Sequence, residues 1–182
     1  MDYDLERLTV LLVEDSMFIR SLLINSLKIL GVGTVITKEH GGPALDFLKL
    51  VKEDPMKANC QNVDLIISNW DMSPVDGMML LRWVRRHKDS PDRFVPFCMI
   101  SAYSEKKRVQ TAREMGVTEF MTKPFSIQGI CEKLQLIIEH PRQFVHNSSY
   151  FGPDRRRQAL PYKGEDRRKL TDKDDCVEVV RG

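Results

Sequence analysis

The sequence predicts an open, doubly wound α/β fold: five parallel strands in one sheet, flanked by five helices. Three observations carry this prediction. Five short apolar runs alternate with five helical patterns between residues 7 and 140. Strands separated by helices favour a parallel sheet, because parallel neighbours need a crossover. The strand runs are also continuously apolar rather than alternating, as expected where both faces of the sheet are covered.

Each element has its own local justification. Thr9-Val10-Leu11-Leu12-Val13 is β-rich and reads as the first strand. Ser16 is placed to cap a helix from about Met17 to Leu30, where Leu23, Leu27 and Leu30 recur at helical spacing and Gly31 stops it. Thr34–Thr37 is a second strand. Pro43 suits the first turn of a helix carrying Leu45, Leu48 and Val51. A polar stretch from Asp54-Pro55 to Asn62 interrupts the pattern before a third strand, Asp64–Ser68. Gly77 precedes a helix with Leu80, Leu81 and Val84. Val95–Ile100 makes the fourth strand, and Glu105–Met115 a helix ended by Gly116. Glu119–Thr122 is a short fifth strand, followed by a helix from about Ser126 to Glu139.

Pro141 ends this periodicity and divides the chain into a domain at 1–140 and a tail at 141–182. Residues 1–140 hold 18 Lys/Arg against 19 Asp/Glu, whereas the tail holds 10 against 7, so the basic character lies in the tail. The tail has few large apolar groups and is expected to be mostly disordered, since it buries too little surface to offset ordering entropy. It carries a short repeat: Tyr150-Phe151-Gly152-Pro153-Asp154-Arg155-Arg156 is echoed by Tyr162-Lys163-Gly164-Glu165-Asp166-Arg167-Arg168. Two copies cannot make a solenoid, and a linear docking motif for an acidic partner is the expected use. The interspersed acids argue against nucleic-acid binding, whose affinity rests on net positive charge.

Other classes are narrowed by composition. The four cysteines (Cys60, Cys98, Cys131, Cys176) show no metal-ligand spacing and read as reduced thiols. No apolar run approaches the ~20 residues of a membrane-spanning helix, and the first residues lack a signal-peptide pattern, so a cytoplasmic location is expected. A flavin carrier of similar architecture is disfavoured, because the first strand-to-helix loop offers acids rather than a phosphate cradle.

Open sheets of this kind place their sites beyond the carboxyl ends of the strands. Glu14-Asp15, Asn69-Trp70-Asp71, Ser101-Ala102 and Lys123-Pro124-Phe125 all fall there. In this order and spacing they resemble the receiver domain of two-component response regulators, over roughly residues 7–140. The resemblance implies a CheY-like, flavodoxin-like fold and a signalling module rather than an enzyme. It also implies Mg²⁺ at the paired acids, with Asp15 matching the direct ligand and Glu14 the more variable partner. Ser101 matches the hydroxyl that meets a phosphoryl group, Lys123 the lysine, and Phe120 the aromatic that responds to the site. Partners implied are a histidine kinase or a downstream signalling protein, docking on the face of the fourth helix, fifth strand and fifth helix.

Two departures qualify the resemblance. The family's phosphorylated aspartate falls at Asn69, whose amide nitrogen is conjugated and not a nucleophile. Losing that carboxylate also weakens the expected Mg²⁺ binding. Asp71 stands where the family offers a backbone carbonyl to the metal, and its acid is a candidate third ligand beside Glu14 and Asp15. Two readings stay open: a receiver acting by protein binding without phosphorylation at the usual position, or a conventional phospho-switch in which Asn69 is an engineered change or Asp71 is the acceptor.

Overall fold

The computed structural model describes residues 5–147, 150–154 and 178–180. A short 3₁₀ turn, Leu5–Arg7, leads into β1 (Thr9–Val13) and α1 (Met17–Ile29). Next come β2 (Thr34–Lys38), α2 (Gly41–Glu53), the single-turn α3 (Pro55–Ala58) and β3 (Leu65–Asn69). The domain continues with α4 (Gly77–Arg86), β4 (Phe97–Ser101), α5 (Lys106–Met115), β5 (Glu119–Thr122) and α6 (Ile127–Glu139). The strands form one parallel sheet in the order β2-β1-β3-β4-β5. The expected doubly wound fold is present, with α3 as an addition inside the stretch read as a polar break.

Strand alternation sends neighbouring residues to opposite faces and so builds two cores. Leu11, Val13, Ile66, Phe97 and Met99 pack beneath α2, α4 and α5 with Leu48, Leu80, Leu81 and Ala112. Val10, Leu12, Leu65, Ile67, Cys98 and Ile100 pack beneath α1 and α6 with Leu23, Leu27, Ile130 and Leu134. Each fully covered aliphatic side chain contributes roughly 1.5–3 kcal/mol. Burial also pushes the Cys98 thiol up to about 12, so it is an inert core group.

Helix starts are fixed by side-chain oxygens that satisfy free N–H groups. Ser16 Oγ accepts from Ile19 N, Asp76 Oδ1 from Met79 N at 2.7 Å, and Ser126 Oγ from Gly129 N at 3.0 Å. Such caps are each worth about 1 kcal/mol. They also set where the strand-to-helix loops end, which matters because the site is built from those loops.

The stretch read as a tail from residue 141 contains short strands among the described residues. β6 (Phe144–His146) and β7 (Phe151–Pro153) form an antiparallel pair, and β8 (Glu178–Val180) joins β6 on its other side. Phe144 and Phe151 are buried and meet Phe94 at ring-centroid distances of 5.2 and 5.4 Å. Beneath Phe144 lies Arg85, fully buried, whose guanidinium donates to the carbonyls of Gly116, Arg93 and Val95. The Phe144 ring lies 5.2 Å from its central carbon, and burial draws its pKa down to about 9. Gly116 takes φ +97°, and a side chain on Gly152 would collide with the Gly116 backbone, so the hairpin seats by a glycine-to-glycine approach. The first repeat copy is therefore partly consumed inside the fold: Tyr150 is buried and its hydroxyl donates to the Pro153 carbonyl at 2.7 Å. The second copy lies outside the described residues.

Candidate functional site

The site forms where the chain turns out of β1, β3, β4 and β5 at their carboxyl ends, beside the point where strand order reverses between β1 and β3. β1 delivers Glu14 and Asp15. Glu14 continues the β1–β2 ladder, its N–H donating to the Lys38 carbonyl at 3.1 Å, while Arg20 Nη1 donates to the Glu14 carbonyl at 2.7 Å. β3 ends in Asn69. The following loop is pinned by Trp70 N donating to the Ile100 carbonyl and Gly77 N donating to the Trp70 carbonyl. A Cβ on Gly77 would lie 2.1 Å from the Asn69 carbonyl, so only glycine lets α4 start this close to the strand. β4 brings Ser101, and Lys123 N donates to its carbonyl at 2.8 Å.

Asn69 is at the centre, 7% exposed. Its Nδ2 donates to Asp15 Oδ1 at 2.9 Å and to the Asp71 main-chain carbonyl at 2.9 Å, with Glu14 Oε1 at 3.4 Å. Its Oδ1 accepts from Lys123 Nζ at 3.2 Å. This orientation is self-consistent, because lysine only donates and the three opposing oxygens only accept. Lys123 Nζ also reaches Glu14 Oε2 at 2.7 Å, and Glu14 Oε1 accepts from Ser16 N at 3.1 Å.

Neighbouring acids respond in opposite directions. Glu14 is 1% exposed, and burial raises its pKa above the ordinary 4.5 despite the Lys123 contact. Asp15 is exposed. Its partial burial works against ionisation, but the hydrogen bond from Asn69 helps bring its pKa below the ordinary 3.8.

Of the expected site residues, Glu14, Asp15, Asn69 and Lys123 converge through direct hydrogen bonds. Ser101 is fully buried at the end of β4, and its Oγ accepts from Tyr103 N at 3.1 Å. Phe120 is half-buried and meets Trp70 edge to face at 6.3 Å.

Asp71 is arranged differently from Glu14 and Asp15. Its carbonyl, not its carboxylate, faces the pocket; the carboxylate is half-exposed and ion-paired with Arg108 from α5. The position thus presents a main-chain oxygen to Asn69, and its acid pairs with Arg108.

Sequence reasoning missed two participants. Arg108 has no site role in the sequence reading, and Trp70 stands there only as part of the third-strand motif, yet the guanidinium carbon lies 4.5 Å from the Trp70 ring centroid and 4.7 Å from that of Tyr103. α5 carries four cations, Lys106, Lys107, Arg108 and Arg113, and nothing in the sequence singles out the one that reaches the β3 loop.

The comparisons with known proteins follow this geometry. A family model described as the response regulator receiver domain matches residues 10–135. The chain belongs to the response regulator receiver family. The chemotaxis protein CheY homolog of Campylobacter jejuni (strain 81-176) is 32% identical over 129 residues, covering 71% of this chain and 91% of the relative. Chemotaxis protein CheY1 of Helicobacter pylori (strain 26695) is 33% identical, covering 71% and 95%. Among solved structures, the chemotaxis response regulator CheY4 of Vibrio cholerae aligns with a TM-score of 0.58 at 27% identity, over 71% of this chain and 98% of that one.

Receiver domains typically bind Mg²⁺ at this acidic site. The donor set described above does not fit that ion as arranged. Mg²⁺ demands near-octahedral oxygen ligands, whereas Asp15 Oδ1, Glu14 Oε1 and the Asp71 carbonyl all point at an N–H₂ group. Among the described residues, no group of three or more His, Cys, Asp or Glu is placed to hold a metal.

Proposed function

We propose that this chain is a receiver-type signalling protein of a two-component phosphorelay that works by protein–protein binding and takes no phosphoryl group at position 69. The observation that carries this reading is a carboxamide, already hydrogen-bonded on both ends, at the centre of an otherwise complete receiver pocket. Acyl phosphate formation needs a carboxylate oxygen as nucleophile. An amide supplies none.

The reading makes the protein a binding module and not an enzyme, acting in the cytoplasm. Among the described residues, no helix is long and apolar enough to cross a membrane. Its partners are a histidine kinase or a downstream signalling protein, and the docking face is α5–β5–α6. Lys107 and Arg113 are exposed on α5, and the exposed Ile127 opens α6. The arginine-rich tail beyond Asp154 is assigned to an acidic partner, with nucleic acid excluded from the proposal. The relatives' names speak of chemotaxis; the proposal takes from them the signalling class alone.

The test is incubation of the purified protein with acetyl phosphate and Mg²⁺, followed by intact mass and peptide mapping. The unaltered protein should remain unmodified, and Asn69→Asp should acquire one phosphoryl group on the peptide that carries position 69. An adduct on the unaltered protein would overturn the reading. If that adduct mapped to Asp71, the conventional phospho-switch would replace it.

A further inference from the structure

We propose that the pocket is closed to divalent cations by the chain's own donors: the Asn69 carboxamide nitrogen takes the metal's place and Arg108 neutralises Asp71. The inference rests on the functional reading above and deepens it, because it says what holds the receiver in one state when no phosphoryl group does so.

Two independent contacts carry it. Asn69 Nδ2 sits where Asp15 Oδ1, Glu14 Oε1 and the Asp71 carbonyl converge. Those three oxygens come from two different loops. A group with two N–H donors satisfies Asp15 Oδ1 and the Asp71 carbonyl, and Glu14 Oε1 also accepts from Ser16 N, without desolvating a doubly charged ion. The pocket's remaining charges are matched by the chain itself: Lys123 pairs with Glu14, and Arg108 with Asp71. A cation entering would have to displace an amide held by several bonds, into a site where two of the three carboxylates are already paired with cations.

Arg108 does more than cancel charge. Its guanidinium lies against both Trp70 and Tyr103, and Trp70 in turn meets Phe120 on β5. Arginine planes stack on aromatic faces while their edges pair with carboxylates. One side chain on α5 therefore ties together the β3–α4 loop (Asp71, Trp70), the β4–α5 loop (Tyr103) and, through Trp70, β5. These are the segments that a phosphoryl group would otherwise bring into register. The structure assigns that task to Arg108, and the docking face is held in a single arrangement.

The decisive experiment is a Mg²⁺ titration of the full-length protein, by calorimetry and by Trp70 emission in a Trp83→Phe background. Asn69→Ala and Arg108→Met are the informative variants. Simple loss of a carboxylate predicts that Asn69→Ala binds Mg²⁺ no better than the parent, since it also deletes an amide oxygen. Occupation by the amide predicts the reverse. Asn69→Ala and Arg108→Met should each bind Mg²⁺ about tenfold more tightly than the parent. In both, Mg²⁺ should shift the Trp70 emission, which it leaves unchanged in the parent. Equal or weaker Mg²⁺ binding in both variants would overturn the proposal, and so would an unshifted Trp70 signal on replacing Arg108. Arg108 is partly exposed, so Arg108→Met remains a valid test should Asn69→Ala fail to fold. These readouts involve no phosphoryl donor, so their failure is distinct from an adduct on the unaltered protein.

Discussion

At the scale of single residues, the pocket sets two adjacent acids against each other. The fold holds a proton on Glu14 more tightly than the unfolded chain does, because burial dominates there. Its contribution to stability is therefore fully present below the ordinary 4.5 and is lost as pH rises through the raised value. Asp15 behaves oppositely: its contribution is present above the ordinary 3.8 and is lost as pH falls through the lowered value. Glu14→Gln should remove the first dependence and leave the second. Urea unfolding at several pH values between roughly 4 and 8 would show it: the parent's stability should fall more steeply with rising pH than the variant's. Parallel profiles would mean that Lys123 fully compensates the buried carboxylate.

At the scale of elements, the hairpin β6–β7 matters most to the domain's limits. Phe151 is buried against Phe94, Phe144 and the Arg93 guanidinium. Phe151→Ala should cost about 3 kcal/mol, from lost burial and from the cavity left against Arg93 and Phe94. Denaturant unfolding followed by circular dichroism measures this, and a loss near zero would mean the hairpin opens independently of the domain. The helices were legible because their signals are local: Ser16 caps where read, the last helix starts beside Ser126 as expected, and Gly31 and Gly116 take positive φ just past helix ends. The hairpin was not legible. Its apolar residues are few and separated by polar ones, and what buries them is a surface built from α4, α5 and the β4 approach, distant in sequence.

At the scale of the whole molecule, the hairpin makes residues beyond 140 part of the folded unit. A chain ending at residue 140 should melt about 5–10 °C below the full-length protein, since it uncovers Arg85 and Phe94 together. Equal melting temperatures would mean that the hairpin adds nothing to the stability of the 1–140 domain. The candidate site divides the same way. Glu14, Asp15, Asn69, Ser101 and Lys123 were readable because each ends or follows a strand and the parallel topology gathers strand ends at one edge. The direction of the Asp71 carboxylate and the reach of Arg108 were not, because both depend on how α5 packs against the β3 loop.

The account stands on the Asn69 carboxamide being held as a bridging donor between the two loops, with its oxygen on Lys123. Its side-chain N–H₂ resonances in a ¹H–¹⁵N spectrum of the unaltered protein report this directly. The predicted result is a pair of well-separated, slowly exchanging signals that do not move when Mg²⁺ is added. Signals at solvent-averaged positions, or a Mg²⁺-dependent shift of that pair, would contradict it.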